Sequence, residues 1–401
     1  MQNSPVEKSL LIAGGGIGGL AAALACAAQG AKPLVIERAK VFSELGAGIQ
    51  MGPNVTRTLF AWGLEKEIEA LAFAPKKLEL RDSQSGQTLG ALRLADRAMQ
   101  AYGAPYLTIH RADLHQLLLQ KVSSSGAAEL QLHREIEVIK EDDQGVTVNG
   151  RSLPEGFFET HMTEAVVGAD GLWSDMRQYV VAPTLPRATG LLAYRALLPM
   201  EKLSEKLRTQ NVTVWVGPCV HVVLYPVKGG GFLNLVVVVK GQSPESLEKW
   251  DHAANKRDLD LAMGPVHAEL KEVLNAVPAW SLWPLCDRPP LQGPEEMAKG
   301  RIALLGDAAH PMRPFLAQGA GMAIEDAAVL ATCWARSDLP VSQRWKLYAK
   351  VRWARNAKVQ QASVRNGHIF HLQGPLRWGR NLVMRALGEP LIDVPWLYAG
   401  P

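Results

Sequence analysis

Residues 14–19 read Gly-Gly-Gly-Ile-Gly-Gly, so Gly14, Gly16 and Gly19 fill a GxGxxG pattern with Ile17 and Gly18 inside it. Glycines at this spacing permit a tight turn whose backbone N–H groups close on a pyrophosphate at the positive end of a helix. Glu37 follows 23 positions after Gly14, where a carboxylate accepts hydrogen bonds from ribose hydroxyls. The run SLLIA at 9–13 reads as a buried strand, Leu20–Gln29 as a helix ended by Gly30, and Pro33–Ile36 as a second strand. This βαβ opening binds a dinucleotide, and the motif alone does not say which one.

Two further groups narrow the chemistry. The strand-like RIALL at 301–305 runs into Gly306-Asp307, and an Ala-rich helix opens at Gly319-Ala320-Gly321-Met322. A carboxylate ending a buried strand suits a ribityl hydroxyl. A helix N-terminus stabilises the anion of a reduced isoalloxazine ring, so this part of the chain favours FAD. A glycine-rich loop that merely packs close to a sheet is the competing reading of the same residues. In the segment Val220–Val227, His221 and Tyr225 lie four apart on one strand face, roughly 13 Å along it, with Val223 between them. A small aromatic ring fits on Val223 with a polar group at each end. A satisfied sheet histidine and an ordinary strand tyrosine are the plainer alternatives.

The elements that position these residues follow from periodicity. Arg111–Lys121 carries Leu114, Leu117 and Leu118 at helical spacing. From about 188 to 283 the texture turns to β, with VTVWVGP and HVVLYPV forming a hairpin around Gly217-Pro218-Cys219. The chain is therefore expected to be α/β: a Rossmann-type, glutathione reductase-like FAD-binding domain from 1–75, 99–187 and 284–340, with an inserted β-sheet substrate domain from 76–98 and 188–283. Residues 341–401 are expected to be C-terminal helices. A ligand site at the domain interface is expected.

Bulk properties exclude several classes. A net charge of +4 on 43 basic and 39 acidic residues is far from a nucleic-acid footprint. Cys26, Cys219, Cys286 and Cys333 are scattered, with neither a disulfide framework nor metal-ligand spacing, so no metal is expected. The apolar run from Leu10 breaks into glycines after four residues, which suits neither a signal peptide nor a membrane span. A cytoplasmic monomer or homodimer without stable membrane association is expected.

With these residues in view, the chain resembles the FAD-dependent aromatic hydroxylases of the para-hydroxybenzoate hydroxylase type over nearly its whole length. GGGIGGL at 14–20, VIER at 35–38, GAGIQMGPN at 46–54, HRADL at 110–114, GADGLWSDMR at 168–177 and LLGDAAHPMRP at 304–314 stand in that family's order. YGAPYLTIHRADLH, HVVLYP and HPMRPFLAQGAGMAIEDA carry a closer similarity to the salicylate, 3-hydroxybenzoate and 6-hydroxynicotinate hydroxylases. Asp175, and the long stretch PEGFFETHMTE at 154–164, depart from that pattern and bear on how a nicotinamide donor docks.

The resemblance implies FAD contacts from Gly14, Gly16, Ile17, Gly18, Gly19, Glu37, Arg38, Gly48, Arg111, Asp170, Asp307 and Gly319–Met322. It implies His221 at the substrate hydroxyl as base or relay, Tyr225 as a pocket donor, and Pro314 beside the flavin C4a. Tyr106 is implied as a substrate contact, Arg313 is the expected carboxylate anchor, and Gln50, Trp215 and Phe315 are expected cavity walls. The implied reaction hydroxylates a small aromatic carboxylate with NADH or NADPH and O2 through a flavin C4a-hydroperoxide, in a pocket dry enough to prevent its collapse to H2O2. A 6-hydroxynicotinate-type hydroxylase is the alternative within the class. A flavin dehydrogenase or oxidase on the same scaffold, and a non-catalytic flavoprotein, are the competing classes.

Overall fold

A computed structural model describes residues 8–42, 47–153, 155–244, 246–247 and 252–401. Gly46 of the GAGIQMGPN motif and Pro154 of the 154–164 stretch lie outside the described residues. Leu10, Leu11 and Ile12 are fully buried in the first strand, Lys8–Ala13, as a continuous apolar run must be when both faces of a parallel sheet are covered. That strand sits centrally. Pro33–Glu37 and then Glu129–Leu132 lie on one side of it, and Phe158–Gly168 and then Ile302–Leu304 on the other, all parallel. Arg134–Glu141, Val146–Ser152 and Phe158–Gly168 form an antiparallel meander beside this core.

The first helix spans Ile17–Ala27, three residues earlier than its apolar run suggests, because Ile17, Gly18 and Gly19 are already helical within the glycine turn. Gly30, at φ +83°, lies two residues past the Ala28 cap. Nearly every position of this helix is buried, as its all-round apolar composition requires. Gly18 lets it approach Leu305 and Ala323, the latter on the helix Gly319–Trp334.

A second, eight-stranded sheet draws its strands from 77–93, 187–287 and the short 252–253 segment. The expected hairpin forms between Val212–Gly217 and Val220–Val227, turning through Cys219 at φ +57°. One face of this sheet packs on the helices Lys256–Met263 and Ala268–Asn275. The opposite face looks towards the dinucleotide layer, where Leu191, Ala193 and Val238 close on Phe315.

The C-terminal region is woven through both layers. The 30-residue helix Val341–Phe370 starts on the first sheet, where Trp345 Nε1 donates to Arg301 O and the Tyr348 hydroxyl to Leu304 O. It ends beside the second sheet, where Ser363 Oγ donates to Arg313 O at 2.6 Å. Among the described residues no helix is long and apolar enough to cross a membrane.

Candidate active site

The groove at the C-terminal ends of the central parallel strands is built by backbone. Gly14 holds φ +104°, and a Cβ there would strike the Ala169 carbonyl, so only glycine lets the two strand ends meet. Gly19 lies behind the turn, where a Cβ would hit Gly14 O, and it sets how closely helix and strand pack. Gly14, Gly16, Ile17, Gly18, Glu37, Arg38, Arg111, Asp170, Asp307, Gly319 and Ala320 all line this groove. Glu37 accepts from Gly15 N and Ala39 N, both at 2.7 Å, which fixes its carboxylate at the end of the second strand. Asp170 accepts from Ser174 Oγ at 2.6 Å and from Met176 N at 3.0 Å.

At the far end, the helix Gly319–Trp334 opens onto the groove without a side-chain cap, so its first-turn N–H groups stay available for an acceptor. Met322 is different. Its N–H donates to Gln318 O at 2.8 Å and its side chain is fully buried, so it is not a groove contact. Gly321 packs towards Val55 and Gln318. His115, absent from the expected set, supports the turn from behind, with Nε2 2.8 Å from Gly15 O.

The second sheet turns one face towards this groove. Strand pairing aligns Ala193, Val238 and His221 in one row; Arg195, Val236 and Val223 in the next; and Leu197, Asn234 and Tyr225 in a third. His221 is 2% exposed, packed at tilted angles among Phe315 at 5.0 Å, Phe370 at 5.6 Å and His371 at 5.0 Å, with Nδ1 2.8 Å from His371 Nε2. Burial, and then His371, hold its imidazole well below the usual histidine range, so it is neutral at pH 7. Tyr225 is also buried, which pushes its phenol above the ordinary tyrosine range despite Arg195 and a hydrogen bond with Gln50. It is a neutral donor.

Gln50 also accepts from the Tyr106 hydroxyl at 2.7 Å, and Tyr106 packs edge-on against Tyr398. These residues form the seam between the layers, and Gly48 belongs to that seam, not to the groove lining. Its N–H donates to Asn234 Oδ1 at 2.7 Å, and a side chain there would strike Tyr225 and Asn234.

Two expected roles change. Trp215 pairs with Val222 in the hairpin and so shares the opposite face, where it stacks on His267 with Arg81 over its ring at 4.1 Å. It is no cavity wall. Arg313 is held by Asp287 through contacts of 2.7 Å, and it lines a separate cleft with Pro311, Met312 and Arg365. Asp287 is shared with Arg187, at 2.7 Å, and this cleft lies apart from the His221 face, so Arg313 is not brought to the sheet face where an anchor was expected.

The face that carries His221, Val223 and Tyr225 also carries Arg195, which sequence reasoning passed over. Its guanidinium lies 3.9 Å over the Trp283 ring, and its Nε is sealed from solvent without a hydrogen-bond partner among the described residues. Burial, and then Arg111, push it down to about 10. A half-buried guanidinium with a second one near it favours an anionic ligand. The available signal was one arginine inside the otherwise uncharged strand LLAYRALL.

The chain matches the FAD binding domain family over residues 7–337. It is 36% identical to 3-hydroxybenzoate 6-hydroxylase 1 of Aquipseudomonas alcaligenes, over 98% of each chain. It is 35% identical to 6-hydroxynicotinate 3-monooxygenase of Bordetella bronchiseptica, over 94% of each. Among solved structures, a salicylate hydroxylase substrate complex superposes with a TM-score of 0.80 at 24% identity, covering 98% of this chain and 97% of that one. Klebsiella pneumoniae HpxO with FAD and uric acid superposes with a TM-score of 0.82 at 24% identity, covering 96% and 94%.

Proposed function

The chain belongs to the FAD binding domain family, as a flavin-dependent aromatic-ring hydroxylase of the hydroxybenzoate and hydroxynicotinate type, and from that premise we propose that it hydroxylates a small aromatic acid, with NAD(P)H and O2 as co-substrates. The observation that carries this reading is the pairing of Arg195 with His221 on one apolar sheet face. Their strands are separated by one other, and their rows are adjacent, which sets their Cα atoms roughly 12 Å apart. One aromatic ring spans that gap with its carboxylate on Arg195, its hydroxyl on His221 and its face on Val223 and Val236.

The residues fit FAD. The glycine turn leaves room for a pyrophosphate, Glu37 and Asp307 offer carboxylates to hydroxyls, and the start of the Gly319–Trp334 helix offers N–H groups to a ring edge. When bound, the cofactor supplies the redox chemistry between NAD(P)H and oxygen. The chain's own part is to bind the ring, remove the hydroxyl proton and exclude water. His221 Nε2 is the nitrogen left for the substrate, since His371 takes Nδ1. Phe315, just past Pro314, packs on the His221 ring and shields it from solvent.

The deciding experiment follows NADH and NADPH oxidation and oxygen uptake by the yellow protein with salicylate, 3- and 4-hydroxybenzoate and 6-hydroxynicotinate, each with product mass. One acid is expected to stimulate oxidation and gain a single oxygen atom. Turnover of substrate without oxygen gain would assign a dehydrogenase instead. On the cofactor side, Asp307→Ala is expected to weaken FAD retention about tenfold, as loss of a charge-assisted hydrogen bond does. The ratio of flavin to protein absorbance after gel filtration reads this directly, and full retention would remove Asp307 from the cofactor's contacts.

A further inference from the structure

His371 is the C-cap of the 30-residue helix Val341–Phe370, 150 positions from His221, and the fold brings their rings together. The contact is held from both sides. Cys219, in the left-handed turn that leads into the His221 strand, donates its N–H to His371 O at 3.3 Å. Gln373 Nε2 lies 2.6 Å from Cys219 Sγ. His221 is 2% exposed and faces the substrate side of the sheet, whereas His371 is half-buried at the protein's edge. The pair therefore leads from a sealed interior towards water.

We propose that His371 is the outer member of a two-histidine relay that carries the proton of a substrate hydroxyl from His221 to solvent. This rests on the reading of His221 as the group that meets that hydroxyl. In the starting state His221 carries its proton on Nδ1 and donates it to His371 Nε2, while His371 carries its own on Nδ1. The substrate O–H bond breaks and its proton goes to His221 Nε2. The Nδ1 proton of His221 passes to His371 Nε2, and the Nδ1 proton of His371 leaves to water. Both rings end neutral in the other tautomer, the substrate is an oxyanion, and one proton has reached solvent. The reverse sequence returns a proton to the product.

The surroundings suit a wire better than a store of protons. Among the described residues, the rings that pack on His221 are Phe315, Phe370 and His371. His371 is faced by Lys240 from the neighbouring strand, by Arg380 from the helix Gly374–Leu387 and by His368 from its own helix. Burial, followed by Lys240, Arg380 and His368, pushes His371 down to about 4, so an imidazolium does not persist there at neutral pH. The relay is open while His371 Nε2 can accept, and it closes as pH falls through that value.

The test uses the holoenzyme and a hydroxybenzoate whose phenolate absorbs apart from its phenol. His371→Gln keeps a hydrogen-bonding partner for His221 but cannot pass a proton. It is expected to bind the acid with unchanged Kd, to form the phenolate at least tenfold more slowly in stopped flow, and to regain speed as pH rises. His371→Ala with added imidazole is expected to recover rate in proportion to imidazole, which serves should the glutamine variant fold poorly. Wild-type phenolate formation and an unchanged pH profile in either variant would overturn the relay. His221→Gln separates the two readings. Loss of phenolate there, with none in the His371 variants, sinks the relay alone, and undiminished phenolate in His221→Gln sinks the underlying role of His221.

Discussion

Arg195→Met is expected to lower kcat/KM for an aromatic carboxylate by roughly 30- to 1000-fold, the equivalent of about 2–4 kcal/mol for one partner of a buried charge pair. Methionine keeps the length and apolar stem of arginine, so packing on Trp283 is largely retained and the loss reports charge. The informative comparison is with the matching phenol that lacks the carboxylate. If Arg195 holds the carboxylate, the variant turns that phenol over within about threefold of wild type, because nothing the substrate needed is gone. Equal losses on acid and phenol would mean that Arg195 acts through Arg111 and the flavin side of the site. Arg195→Lys is expected to recover part of the acid activity only, since an ammonium cannot grip a carboxylate with two parallel bonds.

How much of this was readable from residues alone depends on the range of the interaction. The glycine turn and Glu37 were legible because a pyrophosphate cradle is a backbone requirement, written within a few residues, whereas the strand expected to end at Asp307 stops at Leu304 and leaves Asp307 in the short turn Gly306–Ala308. The shared face of His221, Val223 and Tyr225 was legible because a strand alternates with period two. Trp215 shows where that reasoning needed one more step. The hairpin register opposes it to Val222, and this parity sends it to the other face from His221. Arg313 sits elsewhere for a different reason, in the cleft with Pro311 and Arg365. Standing beside Pro314 says nothing about Asp287, which reaches it from 26 residues away. The pairing of His371 with His221 crosses 150 residues and carries no local pattern at all.

The second large effect is on stability. Glu325 and Asp326 are consecutive in the helix Gly319–Trp334, and both are fully buried. They tolerate this because Arg352 bonds Asp326 at 2.7 Å and Glu325 at 2.8 Å, Arg355 bonds Glu325 at 2.7 Å, and His310 approaches Asp326 at 2.5 Å. Arg352→Met leaves two interior carboxylates with too little positive charge, and is expected to destabilise the fold by about 3–5 kcal/mol. Denaturant unfolding of wild type and variant measures this.

The pH dependence gives the check on cause. Burial alone raises Asp326, but His310 and Arg352 more than reverse it and hold it far below the usual carboxylate range. A depressed carboxylate stabilises the fold above its unfolded value near 4, and that contribution is lost as pH falls through its folded value. Without Arg352, His310 and Asn356 still hold the carboxylate down but less far, so the variant draws less stability from the ionised form than the wild type does. The gap between them is therefore widest at neutral pH and narrows below about pH 4. A gap independent of pH would assign the loss to packing. Because Asp326 also accepts from Gly306 N at 3.1 Å, beside Asp307, the variant is expected to release flavin more readily. Excess FAD should then return part of the stability by mass action.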